Sequence, residues 1–274
     1  MSGKIAFLGL GAMGFGMATN LVKNNHPVTG FDVWGPTLER FRAAGGQTAT
    51  TPREVVKDAQ FVVFMVATAA QIQSALFDPD SGAIHGLGRD VTLICCSTGP
   101  PEYVPRLRAL LDGEYGRSDV RLVDAPVSGG TIRAADGTLT VLASGPDEAL
   151  RAARPVLAAL AGKNLYVVPG GLGAGTKVKM VHQVLAGIHI AMTAEAIGFA
   201  ASLGLNTREV FEKVVGSEGA SWMFGNRVPH LLEGDETVYS ALNIIVKDVV
   251  SLFFFLSNFW LGGEEGELTH DRES

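Results

Sequence analysis

The sequence predicts an α/β protein, a Rossmann-type doubly wound parallel sheet followed by an incomplete all-helical C-terminal domain. Three observations predict it. Short apolar runs alternate with helical stretches over the first 165 or so residues, the pattern of strands joined by crossover helices. Gly9, Gly11 and Gly14 lie between the first run and the first helical stretch. Beyond Pro169-Gly170-Gly171 the alternation stops, and residues 175 to about 203 hold few turn signals and read as one long helix.

Taken in order, residues 4–8, 28–31, 61–66, 91–95, 121–124, 139–143 and 165–168 read as strands. Residues 61–66 (Phe-Val-Val-Phe-Met-Val) are apolar throughout, as a strand covered on both faces should be. Residues 13–23, 37–44 and 147–160 read as helices between them. The long helix is rich in Ala, Val, Met and Ile, and Gly204 is placed to stop it. The change of pattern sets a domain boundary near residue 170, with domains 1–170 and 171–274.

Composition narrows the function. The chain has 274 residues, 47% of them hydrophobic, enough for one large or two modest domains. Net charge is −6 with no Lys/Arg block. Affinity for phosphate backbones rests on clustered cations, so neither nucleic acid nor an anionic membrane is an expected partner. Cys95 and Cys96 are neighbours in an apolar run and the only cysteines. They supply no disulfide framework and no metal cluster, so no metal is expected. Residues 1–4 pass straight into a strand without the pattern of a signal peptide. The expected compartment is the cytoplasm.

Gly9-x-Gly11-x-x-Gly14 follows a strand and opens a helix, which is the context a dinucleotide fingerprint requires. Gly9 permits the tight turn, Gly11 lets a pyrophosphate approach the backbone, and Gly14 lets helix and strand pack closely. Ala12 and Met13 begin the helix whose free N–H groups would face the phosphates. Asp32, about 20 residues on, can accept from ribose hydroxyls and would repel a 2′-phosphate. Neither Val33 nor Trp34 compensates, and Arg40 and Arg42 are remote, so NAD is expected over NADP. Thr68 and the pair Ser97, Thr98 follow two of the strands. Each is either a polar contact to ribose or nicotinamide, or an ordinary helix N-cap.

Four motifs in order carry a resemblance: Gly9–Gly14; Asp124-Ala125-Pro126-Val127-Ser128-Gly129-Gly130; Gly173-Ala174-Gly175-Thr176-Lys177-Val178-Lys179; and Lys247-Asp248. With them the chain resembles the β-hydroxyacid dehydrogenases, such as 3-hydroxyisobutyrate dehydrogenase and tartronate semialdehyde reductase, from residue 4 to about 250. The resemblance implies two domains with the active site at their junction, and assembly of copies through the helical domains. It implies oxidation of a small hydroxy acid with Lys179 as catalytic lysine. Free lysine titrates near 10.4, so a desolvated pocket must lower that value for it to serve as a base. Lys177, two residues away, points to another face. Ser128, Gly129 and Gly130 can offer a hydroxyl and two N–H groups to a substrate carboxylate. Lys247 resembles a second lysine that touches the cofactor.

One departure stands out. Most of the family has Asn three residues after the lysine, and this chain has His182, on the same helical face as Lys179. Lys-x-x-His-Gln, with residues 66–71 and 221–230, resembles the L-threonate dehydrogenase branch, in which C2 of a four-carbon sugar acid is oxidised to a 2-oxo acid. Residues 249–263 are apolar on all sides and a polar tail follows, which breaks the resemblance after about 250. At fifteen residues the stretch is short for a membrane span, which needs about 20. It reads as a foreign terminus from a retained intron, a frameshift or a gene-model error. A cofactor-binding remnant without turnover is the rival to an active enzyme. A 6-phosphogluconate-type enzyme shares some motifs but needs a much larger helical domain.

Overall fold

The computed structural model describes residues 3–235. Its main sheet has six parallel strands: β1 (Ile5–Leu8), β2 (Val28–Phe31), β3 (Gln47–Thr48), β4 (Phe61–Phe64), β5 (Thr92–Cys95) and β6 (Arg121–Asp124), in the order β3-β2-β1-β4-β5-β6. Ile5 stands opposite Val28 on one side and Phe61 on the other, which places β1 in the middle. Helices α1 (Ala12–Lys23), α2 (Gly35–Ala43), α3 (Pro52–Val55), α4 (Ala69–Phe77) and α5 (Tyr103–Gly113) make the crossovers.

The apolar strands are buried because both sheet faces are covered. Side chains alternate along a strand, so Ile5 and Phe7 join one core with Met17 and Leu21 of α1. Ala6 and Leu8 join the other, with Ile72, Leu76, Leu107 and Leu111. Asp124 ends β6 at 0% exposure, a carboxylate inside this apolar interior.

The expected strands at 139–143 and 165–168 do form, but they do not extend the main sheet. They are β8 (Thr140–Ala143) and β9 (Leu165–Val167), and with β7 (Val127–Ser128) they make a separate three-stranded sheet, antiparallel between β7 and β8. The cause lies at Pro126: proline has no N–H to continue a ladder, and its carbonyl instead accepts from Leu142 at 3.0 Å. Helices α6 (Gly130–Asp136) and α7 (Asp147–Ala161) complete this region, and α7 closes the first core through Val156, Leu157 and Leu160.

Helix α8 (Ala174–Ser202) follows, then α9 (Thr207–Val214) and α10 (Trp222–Glu233). Gly173 turns the chain into α8 at φ +87°, a left-handed conformation in which a Cβ is penalised. α10 packs on α8 through Ile197, Phe224 and Val228. Among the described residues α8 is the one helix long and apolar enough to cross a membrane by length and composition. It leaves Val178, Val181, Leu185, Ile188 and Met192 exposed while burying Thr176 and Lys179. Lys247 and the tail beyond 250 lie outside the described residues.

Candidate active site

The fingerprint glycines occupy three different spaces. Gly9 has φ +96°, and a Cβ there would strike the carbonyl of Met65, the residue after β4. A Cβ on Gly14 would collide with the Gly9 carbonyl, so this glycine sets the close seat of α1 on β1. A Cβ on Gly11 would meet nothing within 4 Å, which leaves a cradle in front of the α1 N-terminus. Gly11 is the N-cap and no side chain caps the helix, so the first N–H groups of α1, from Ala12 and Met13 on, face that space. Asp32, at the end of β2, accepts from Leu10 N at 2.7 Å through Oδ2 and from Trp34 N at 2.9 Å through Oδ1. The carboxylate thus braces the glycine turn and stands at its rim. Open backbone, an uncapped helix end and a rim carboxylate fit a dinucleotide: phosphates at α1, ribose hydroxyls at Asp32.

Thr68 and Ser97 carry local duties. Thr68 is the N-cap of α4: its hydroxyl accepts from Gln71 N at 3.2 Å, and Gln71 Oε1 accepts from Thr68 N at 3.1 Å. This reciprocal capping box satisfies two helix-end donors. Ser97 is buried, and its Oγ accepts from Val66 N at 3.0 Å, tying the ends of β4 and β5. Thr98 follows Ser97 at the same sheet edge.

The second constellation joins segments fifty residues apart. Lys179 and His182 share a face of α8, Lys179 being 5% exposed, whereas Lys177 lies on the exposed face. Lys179 Nζ stands 3.4 Å from His182 Nδ1, and His182 Nε2 stands 3.0 Å from Ser128 Oγ. Gln183 Oε1 also reaches Nδ1, at 3.0 Å. Burial, then the Lys179 charge, pushes His182 below the usual histidine range, and the Gln183 contact opposes that shift. The ring is therefore neutral at pH 7 and carries one N–H. With that proton on Nε2, the ring donates to Ser128 and Nδ1 accepts from Lys179. With the proton on Nδ1, the ring donates to Gln183 and accepts from the serine hydroxyl. In the first arrangement the Ser128 O–H is released for another acceptor.

Gly129 and Gly130 follow at the start of α6. A Cβ on Gly129 would press on Arg133 and Leu139, whereas one on Gly130 would meet nothing within 4 Å. Gly130 therefore borders open space beside Ser128. The structure brings Ser128, Gly129, Gly130, Lys179 and His182 together.

A third group had a motif but no assigned role. Asp124 Oδ1 accepts from Thr176 Oγ1 at 2.7 Å, and Oδ2 accepts from Thr176 N at 2.9 Å and from Ser144 Oγ at 3.2 Å. Burial pushes this carboxyl above the usual range, against the hydrogen bonds from Thr176 and Ser144 that hold it down. The signal was a carboxylate closing an apolar strand; its partners are remote in the chain.

Comparison with known proteins adds to this geometry. Residues 4–170 match the family described as the NAD binding domain of 6-phosphogluconate dehydrogenase. Residues 173–253 match the NAD-binding of NADP-dependent 3-hydroxyisobutyrate dehydrogenase. The L-threonate dehydrogenase of Cupriavidus necator is 41% identical over 249 residues, covering 91% of this chain and 82% of its own. The NAD-dependent L-serine dehydrogenase of Pseudomonas aeruginosa is 34% identical over 219 residues, covering 80% and 71%. The crystal structure of a 3-hydroxyisobutyrate dehydrogenase from Salmonella typhimurium superposes with a TM-score of 0.85 at 34% identity, covering 95% of this chain and 88% of that one.

Proposed function

The chain belongs to the 3-hydroxyisobutyrate dehydrogenase-like family and is an NAD-dependent hydroxyacid dehydrogenase, and from that membership we propose that its substrate is L-threonate, oxidised at C2 to the 2-oxo acid. The observation that carries the reading is the chain of contacts from Lys179 through His182 to Ser128. Two of the similar proteins bear on the substrate: one is named for L-threonate and the other for L-serine. Both names describe acids with a hydroxyl beyond the carboxylate.

In this reading residues 1–170 form the cofactor domain, and NAD, when bound, supplies the hydride acceptor. Gly9, Gly11, Ala12, Met13 and Gly14 hold its phosphates and Asp32 its ribose; Thr68, Ser97, Thr98 and Lys247 are the further contacts proposed. Residues 171–274 form the second domain. Lys179 takes the proton of the substrate hydroxyl as the C2 hydride departs. General base help of this kind is worth roughly 10²–10⁴ in rate. Ser128 O–H and the N–H groups of Gly129 and Gly130 hold the carboxylate. His182 orients Ser128 and can bond an additional substrate hydroxyl, a task that suits a sugar acid better than 3-hydroxyisobutyrate. We further place the enzyme in the cytoplasm, where Cys95 and Cys96 stay thiols, with a second copy of the chain covering the apolar face of α8. Its net charge of −6 and lack of a Lys/Arg block argue against a nucleic-acid partner.

The test is NADH formation by the purified 274-residue chain with L-threonate, D-threonate and 3-hydroxyisobutyrate, beside Lys179→Ala. Turnover of L-threonate above the other acids, lost by at least about 100-fold in the variant, is expected. Turnover that survives Lys179→Ala removes the lysine assignment. A preference for 3-hydroxyisobutyrate removes the substrate, and NADH binding with no turnover on any acid identifies a cofactor-binding remnant.

A further inference from the structure

The first N–H groups of a helix have no partners within it and must find acceptors elsewhere. At α8 the N-cap is Gly173, and no side chain of the helix serves. The acceptors come from the sheets instead. Gly175 N donates to Ser144 Oγ at 2.8 Å, and Thr176 N donates to Asp124 Oδ2 at 2.9 Å. Thr176 Oγ1 adds a bond to Oδ1 at 2.7 Å, so both carboxylate oxygens grip one residue. Asp124 and Ser144 are themselves locked by a pair of backbone bonds, at 3.0 and 2.7 Å. A Cβ on Gly175 would collide with the Leu142 carbonyl, so the helix end lies hard against this frame.

Lys179 lies three residues after Thr176, and Ser128 four residues after Asp124. One side chain therefore joins the two segments that meet in the candidate active site. Two bonds to one residue restrain both the axial position and the rotation of the first turn of α8. The carboxylate's charge also faces the positive end of that helix.

We propose that Asp124 is a positioning residue of the dehydrogenase: as the acceptor that β6 supplies to the first turn of α8, it sets Lys179 in register with Ser128. It touches neither the reacting atoms nor the cofactor cradle. The inference deepens the functional reading above and rests on Lys179 being the catalytic lysine. Its consequence is kinetic, because a misplacement of about 1 Å at a reacting group can cost on the order of 100-fold in rate.

Three variants of the full chain test it: Asp124→Ala, Asp124→Asn and Thr176→Val. Asparagine can still accept from Thr176 N and donate to Thr176 Oγ1, so it keeps the grip without the charge. In Asp124→Ala kcat is expected to fall about 100-fold, while NADH affinity, measured by fluorescence titration, stays within about threefold of the parent (about 0.65 kcal/mol). Asp124→Asn is expected to recover most of the rate, and Thr176→Val to lose about tenfold. In the cofactor-free protein, Lys179 of Asp124→Ala is expected to react faster with an amine-acylating reagent, read by mass spectrometry. An unchanged kcat, an Asn variant as impaired as the Ala variant, or cofactor affinity falling in step with turnover overturns the proposal. If Asp124→Ala does not fold, Thr176→Val decides: unchanged kcat and Lys179 labelling refute the positioning role. If the parent turns over no hydroxy acid, the substrate reading falls, and the labelling rates of the variants still decide this one.

Discussion

Gly11→Ala separates cofactor binding from folding with one methyl group. Gly11 has φ −65° and ψ −163°, an extended conformation that alanine adopts without strain. The added Cβ meets no protein atom within 4 Å, so the methyl costs the apoprotein no packing. Alanine is a poorer N-cap than glycine by roughly 0.5–1 kcal/mol, and it restrains the unfolded chain by about 0.4–1 kcal/mol in compensation. The two nearly cancel, which leaves Tm of the apoprotein within about 2 °C of the parent. The same methyl fills the cradle through which the phosphates approach the N–H groups of Ala12 and Met13. Loss of one charge-assisted bond is worth about 1.5–3 kcal/mol, or roughly 10- to 150-fold in NADH affinity. Gly14→Ala is the contrast, because its Cβ would strike the Gly9 carbonyl and should lose about 1–3 kcal/mol before any cofactor is added. Thermal denaturation of the apoproteins and fluorescence titration with NADH read the two effects separately. A Gly11→Ala protein that binds NADH like the parent, or that melts more than about 5 °C lower, refutes the assignment of that space to the pyrophosphate.

Two further outcomes follow from buried polar groups. His182 is held below its ordinary value of 6.5 by burial and Lys179, so its folded form binds fewer protons than its unfolded form just below pH 6.5. Stability is therefore whole above pH 6.5 and declines as pH falls toward the folded pKa. Followed by NMR, the His182 ring should titrate with its midpoint below 6.5; a midpoint at or above 6.5 contradicts the neutral ring. Among the described residues the Tyr103 hydroxyl is buried without a partner, a state that costs about 1–3 kcal/mol. Tyr103→Phe should raise Tm by several degrees, read by calorimetry, and a lowered Tm would show that the hydroxyl is satisfied.

What the sequence discloses and what it hides divide along the range of the interactions. Strands β2, β5 and β6 carry polar residues or a glycine and were legible from their place in the strand–helix alternation. Strands β1 and β4 were legible because a strand covered on both faces needs an unbroken apolar run, and such runs are local. The glycine cradle was legible for the same reason: turn, helix start and brace lie within Gly9 to Asp32. Lys179 and His182 could be placed on one face by helical spacing alone, although the 3.0 Å contact to Ser128 needed the tertiary fold. The three-stranded sheet was not legible as a separate unit, because β7 has two residues and a period of two cannot be read from two. Pro126, between β6 and β7, was the available local sign that the main sheet ends there. Thr68 and Ser97 could each be a cofactor contact or a local support. The structure shows both supporting duties. Asp124 is the hardest case. A strand ending in aspartate invites a surface reading, since a buried carboxylate is expensive unless it is hydrogen-bonded. The donors that satisfy it sit 20 and 52 residues away, on segments that show no sign of needing an acceptor except Gly173, a helix N-cap with no side chain to offer. A helix that starts on glycine and a carboxylate that ends an apolar strand are each anomalous alone. Together they satisfy one another, and the pairing fixes where the lysine of that helix can stand.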